Sequence, residues 1–184
     1  FIYNINSILS KDIVIKNVTK VNENAHARFD AIARKYAYHI IQNKNPFKKE
    51  TAYFIPFTLD IDAMNEAASL LKKFTDFESF SKKNTDVLTY NCQLSISYFE
   101  KKEDEIIYHV QSNRFLRGMV RALVGTIILI GRKKITMDEL KEIVESKDCR
   151  KADFSTPAHG LFLENVFYDE NIFEQKIGEN RQNS

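Results

Sequence analysis

The sequence predicts an α+β domain built on a mixed, mainly antiparallel sheet flanked by helices, and three observations lead there. Two alternating apolar runs, residues 94–99 and 106–111, flank the charged stretch 100–105 and read as a β-hairpin. Strand-like and helix-like hydrophobic periods are mixed along the chain, which favours antiparallel pairing over a doubly wound parallel sheet. At 184 residues and 43% apolar composition, the chain can fill one large or two small domains with a packed core.

Taken in order, Ile13, Val14, Ile15 and Val18, with alternation through Val21, predict a first strand, and residues 34–41 a second; both are β-branched or aromatic. Residues 62–71 place Met64, Ala67, Ala68 and Leu71 on one face of an amphipathic helix, with Asp60 or Asp62 as its N-cap. The hairpin follows. Residues 114–130 are apolar enough for a buried helix, closed by Gly131 and the cationic Arg132, Lys133 and Lys134. Thr136-Met137-Asp138-Glu139 is a capping box opening another helix through Ser146, and residues 161–168 alternate as a last strand. The chain starts at Phe1 with apolar, already patterned residues, which suggests a piece cut from a longer protein, and ends at 180–184 in a polar, aperiodic stretch of the kind a frayed natural terminus has.

Charge excludes some functions and localises others. Twenty-seven basic residues against 25 acidic give a net charge of +2, too small a field to imply nucleic acid or membrane by itself. Residues 106–137, however, carry six basic groups and no acid. The longest apolar stretch, around 122–130, is shorter than the ~20 residues a bilayer span needs. Two cysteines, Cys92 and Cys149, make neither a disulfide framework nor a CxxC knuckle, and with no signal peptide visible the expectation is a cytoplasmic protein. His26, His39, His109 and His159 lack metal-ligand spacing with each other or with the cysteines, so no metal is expected.

Two constellations carry chemistry. On a strand Arg34, Tyr36 and Tyr38 share one face, and an arginine beside two rings can neutralise phosphate and stack on an unpaired base; the competing reading is a pair of core aromatics. On a helix Arg114, Arg117 and Arg121 fall at i, i+3 and i+7 and line one stripe, with Phe115, Met119 and Leu123 on another. Gly118 and Gly125 weaken that helix by ~1 kcal/mol each, a cost explained by close approach of a backbone or ligand. That row fits a phosphate or carboxylate partner, or a solvated cationic edge.

At these residues the sequence resembles tRNA pseudouridine synthase A, almost throughout and in order. Residues 6–13 are similar to the family's N-x-x-L-P-x-D-I segment with Ser10 for proline, and His26-Ala27-Arg28-Phe29-Asp30-Ala31 to F-H-A-R-F-S/D-A with Ala25 for phenylalanine. Arg34-Lys35-Tyr36-Ala37-Tyr38 matches R-x-Y-x-Y, and Asp76-Phe77-Glu78-Ser79-Phe80 matches D-F-x-S-F. Phe115-Leu116-Arg117-Gly118-Met119-Val120-Arg121 with Val124-Gly125-Thr126 resembles F-L-x-x-M-V-R-x-x-V-G-T, and Thr156-Pro157-Ala158-His159-Gly160-Leu161-Phe162-Leu163 resembles A-P-P-x-G-L-x-L.

The resemblance implies a pseudouridine synthase fold and an isomerase that converts uridine to pseudouridine in the tRNA anticodon stem-loop, as a homodimer with no cofactor. It makes Tyr36 the ring packed on the target base and Arg121 the arginine pairing with the catalytic aspartate. Arg28, Arg34, Tyr38, Arg114 and Arg117 become RNA contacts. One departure is large: the family's G-R-T-D-A-G motif, which carries the nucleophile, does not occur in this sequence. The chain therefore reads as residues 1–24 from the end of an N-terminal domain and linker, residues 25–175 as a C-terminal α+β domain, and 176–184 as a polar tail, inactive alone. A non-catalytic RNA-binding or dimerisation domain is the alternative.

Overall fold

The structure, a computed structural model, describes residues 1–83 and 87–173. The chain divides into two compact units, the smaller formed by Phe1–Ala31 and the residues from Tyr168 onward, the larger by Ile32–Phe167. The polar tail expected at 176–184 lies outside the described residues.

The smaller unit opens with helix α1 (Ile2–Ile8). The strand expected over 13–21 does not form. Residues 13–20 carry no regular structure, and Val21 makes only an isolated bridge to Phe173. The Asn6 amide explains why a β-branched run can go unpaired: its Nδ2 donates to the Ile15 carbonyl at 2.8 Å and its Oδ1 accepts from Ile15 N at 2.7 Å. One side chain thereby satisfies both backbone groups of Ile15. Farther on, the Tyr168 hydroxyl donates to the Ala27 carbonyl at 2.7 Å.

The larger unit is built on a five-stranded sheet. Strand β1 (Ala31–Ile41) lies between its parallel neighbour β2 (Tyr53–Phe54) and the antiparallel β4 (Glu105–Ser112), which pairs with β3 (Leu94–Lys102); β5 (Leu161–Tyr168) also pairs with β1. The register sets Tyr36 opposite Val110 and Tyr38 opposite Tyr108. The hairpin turn is tighter than the charged stretch suggests, because Lys102 still pairs with Glu105 and only Glu103 and Asp104 turn the chain, Glu103 at φ 52°.

Helices α2 (Ile61–Leu71) and α3 (Met119–Gly131) join Tyr38, Ile40, Phe99, Ile106, Tyr108 and Val110 in one hydrophobic core. Asp60 caps α2 by accepting from Ala63 N at 3.1 Å, and the four apolar positions expected on its inner face are all buried. The same helix reaches the edge of the sheet through Asn65, whose amide donates to the Phe99 carbonyl at 3.1 Å and accepts from Phe99 N at 2.6 Å. Helix α4 (Met137–Glu145) starts with the capping box as read from Thr136 and Glu139.

Helix α3 departs from expectation at its start. Gly118 sits at φ +80°, in the left-handed region that ends a right-handed helix, so residues 114–118 lie outside it. The i, i+3, i+7 stripe of Arg114, Arg117 and Arg121 is therefore not a helical face. Gly125 does have the inferred close approach: a Cβ there would overlap the carbonyl oxygen of Asp153, whose N–H donates to Thr126 Oγ1 at 3.0 Å.

Candidate functional site

The cleft of interest lies where β1, the 114–118 link and the start of α3 meet. It holds about 290 Å³, close to the lower bound for small-molecule sites, and is lined by Tyr36, Phe115, Met119, Leu161 and three cations, Lys82, Arg117 and Arg121, with no carboxylate among its lining residues. The left-handed turn at Gly118 makes the geometry: it turns the chain so that Phe115 meets Tyr36 edge-on, ring centroids 5.1 Å apart at 89°. That contact fixes the attitude of a half-buried ring while leaving part of it open to the cleft.

Arg121 is anchored through the Nε edge of its guanidinium and through its backbone carbonyl. Its Nε donates to the Thr156 carbonyl at 2.6 Å, and the Thr156 hydroxyl donates to the Arg121 carbonyl at 2.7 Å. Among the described residues no carboxylate pairs with Arg121, so its two terminal nitrogens remain a planar donor fork of the kind that takes carboxylate or phosphate bidentately. The backbone joins the other cations, with Lys82 N donating to the Arg117 carbonyl at 2.9 Å.

Of the residues picked from sequence, the cleft brings together Tyr36, Arg117 and Arg121. Arg34 donates from Nη1 to the Asn113 carbonyl at 3.1 Å, and neither it nor Arg114 lines the cleft. Arg28 belongs to the smaller unit, its guanidinium 5.5 Å over the Phe29 ring. Tyr38 is corrected. Its side chain is 0% exposed and its hydroxyl donates to the Pro157 carbonyl at 2.7 Å, so it is a core aromatic with no face to offer a base. Strand alternation found the face but not the depth. Burial pushes the Tyr38 hydroxyl pKa far above its ordinary value, and it stays a neutral donor.

Three members were missed. Phe115 was assigned to a helix face, Thr156 drew attention only as part of a motif, and Lys82 stood in an unremarkable Ser-Lys-Lys run. Only the unpartnered acid-free stretch hinted that cations would collect here.

Residues 67–169 match the family described as tRNA pseudouridine synthase. The chain is 43% identical over 169 residues to tRNA pseudouridine synthase A of Parabacteroides distasonis, an overlap covering 92% of this chain and 67% of the relative. This chain belongs to the tRNA pseudouridine synthase family. The synthases A of Bacteroides thetaiotaomicron (42% over 175 residues, 94% of this chain and 65% of the relative) and Staphylococcus aureus (34% over 178 residues, 96% and 67%) are also similar. The chain spans about two thirds of the length of these synthases. The mixed, mainly antiparallel sheet flanked by helices is the synthase fold expected from sequence. One synthase-like motif proves structural: in 76–80, Phe77 and Phe80 are buried and the Ser79 hydroxyl donates to the Ile143 carbonyl at 2.6 Å. No described helix is long and apolar enough to cross a membrane.

Proposed function

We propose that this chain supplies the base-holding side of the active cleft in an enzyme that isomerises uridine to pseudouridine in the anticodon stem-loop of tRNA. The observation that carries the reading is the pairing of an edge-supported Tyr36 with an anchored, carboxylate-free Arg121 fork in a chain of this family. In the reaction the N1–C1′ bond of uridine breaks, the uracil turns, a C5–C1′ bond forms, the C5 proton leaves and N1 takes up a proton, so atoms balance without a co-reactant. The Tyr36 ring holds the detached base in place, and the fork of Arg121 keeps a nucleophilic carboxylate ionised and aimed. That carboxylate comes from a G-R-T-D-A-G-like segment that this sequence does not contain. Arg117 and Lys82 neutralise backbone phosphates beside the cleft. The same reading makes the working enzyme a cytoplasmic homodimer needing no cofactor.

Release of tritium from tRNA labelled at uridine C5 tests it. The purified 184-residue chain is expected to release none, and the enzyme carrying both this chain and the aspartate segment is expected to release it at full rate. Turnover by the chain alone would refute the division of labour. Tyr36→Phe and Arg121→Ala in the complete enzyme should abolish release while leaving the fold intact, and full rate in both variants would remove the site assignment.

A further inference from the structure

A second cavity, larger than the Tyr36 cleft, shares the 157–161 segment with it. It holds about 470 Å³ and is walled by Ile41, Pro46, Ala52, Tyr53, Phe54 and Pro157. Pro157 lines this cavity, Leu161 lines the cleft, and the buried Tyr38 hydroxyl donates to the Pro157 carbonyl. The rim is made of donors. Lys44 Nζ stands 5.9 Å from the Phe54 ring centroid and pairs with no carboxylate among the described residues. Lys49 reaches only Glu50, at 3.9 Å, with both side chains more than four-fifths exposed. Asn45 spends its Oδ1 on Phe47 N at 3.0 Å, leaving its amide NH2 unbonded among the described residues. His159 also lines the space, and no aspartate or glutamate does.

Flat aromatic and proline walls under a carboxylate-free cationic rim suit a planar, acceptor-rich anion. The geometry points to a second nucleotide subsite here, which takes an unstacked nucleotide of the tRNA substrate other than the target uridine, its base against Tyr53 and Phe54 and its phosphate at Lys44 and Lys49. This rests on the reading of the chain as part of a tRNA-acting enzyme, because that supplies an RNA strand already held across the neighbouring cleft.

Ultraviolet cross-linking of the 184-residue chain to an unmodified tRNA transcript, with the adducts mapped by mass spectrometry, tests it. Adducts are expected at Tyr53 or Phe54 as well as at Tyr36 or Phe115. Lys44→Glu should weaken tRNA binding roughly tenfold at low salt and reduce the salt slope by about one, while Lys102→Glu, on the hairpin, should not. Phe54→Leu keeps apolar bulk and should lose the adduct there while retaining the one at Tyr36. Adducts confined to the Tyr36 cleft, with Lys44→Glu binding like the parent, would overturn the subsite and leave the proposed function standing. Saturation of the cavity by uridine monophosphate with no loss of tRNA affinity in Lys44→Glu would overturn the assignment to tRNA. Absence of adducts at both places would overturn the proposed function and the subsite with it.

Discussion

Arg121 and Thr156 hold each other by two reciprocal hydrogen bonds, Nε to the Thr156 carbonyl at 2.6 Å and Thr156 Oγ1 to the Arg121 carbonyl at 2.7 Å. The first turn of α3 is thus stitched to the loop before β5, and the Nε bond holds one edge of the guanidinium. Arg121→Lys removes the Nε donor and the planar fork while keeping the charge. In the complete enzyme it should reduce kcat by at least about 100-fold with tRNA affinity changed far less, which single-turnover tritium release and filter binding would separate.

Tyr38→Phe separates a core role from an RNA role. It strands the Pro157 carbonyl that the hydroxyl satisfies, so thermal unfolding should show a loss of about 1–2 kcal/mol. Affinity for tRNA, measured well below the unfolding temperature, should be unchanged. A loss of affinity without a loss of stability would contradict the buried placement.

Gly118 and Gly125 should fail differently when replaced by alanine. At Gly118 the strain of a left-handed backbone is about 1–2 kcal/mol, and the nearest atom to a new Cβ, 3.1 Å away, belongs to the flexible Lys82 side chain, with the Phe154 ring next at 3.3 Å. At Gly125 the obstacle is the Asp153 backbone, which cannot swing aside, and the loss should be larger, about 3 kcal/mol. Chemical denaturation of both variants would give the order; the reverse order would refute it.

Acid should destabilise the larger unit through Glu164. The hydrogen bond from Lys35, at 2.9 Å, holds its carboxyl below the usual glutamate range despite partial burial. A depressed folded-state value means the stabilisation is present above the ordinary glutamate pKa of about 4.3 and is lost as pH falls through the depressed value. Unfolding midpoints from about pH 6 to pH 3 should therefore fall less steeply in Glu164→Gln than in the parent.

Much of this fold was legible because its signals are local. The inner face of α2, the Thr136–Glu139 box and the two arms of the hairpin are each set by residues within a turn or a pair of strands of one another. The failures came from contacts no period reveals. Ile13 to Val21 looks like a strand, yet the Asn6 amide takes Ile15's backbone bonds. The arginine row looked helical because nothing in spacing alone says that Gly118 adopts a positive φ. At the cleft, Tyr36 and Arg121 were found through the resemblance to synthases and fit the physics. Phe115's grip on Tyr36 and the Thr156 anchor were invisible because both depend on where a loop distant in sequence returns.

The Asn65 side chain, bonded in both directions to the Phe99 backbone, takes the place of one residue of a missing neighbouring strand on the outer side of β3. An unpaired strand edge is a template for another molecule, and here the helix packed behind the sheet closes it midway with an amide, while Glu100, Lys101 and Lys102 charge the stretch beyond. The consequence is colloidal as well as thermodynamic. Asn65→Leu should cost about 1–3 kcal/mol by stranding both Phe99 backbone groups, and should leave them open to a strand of another molecule, so that light scattering rises with time and concentration.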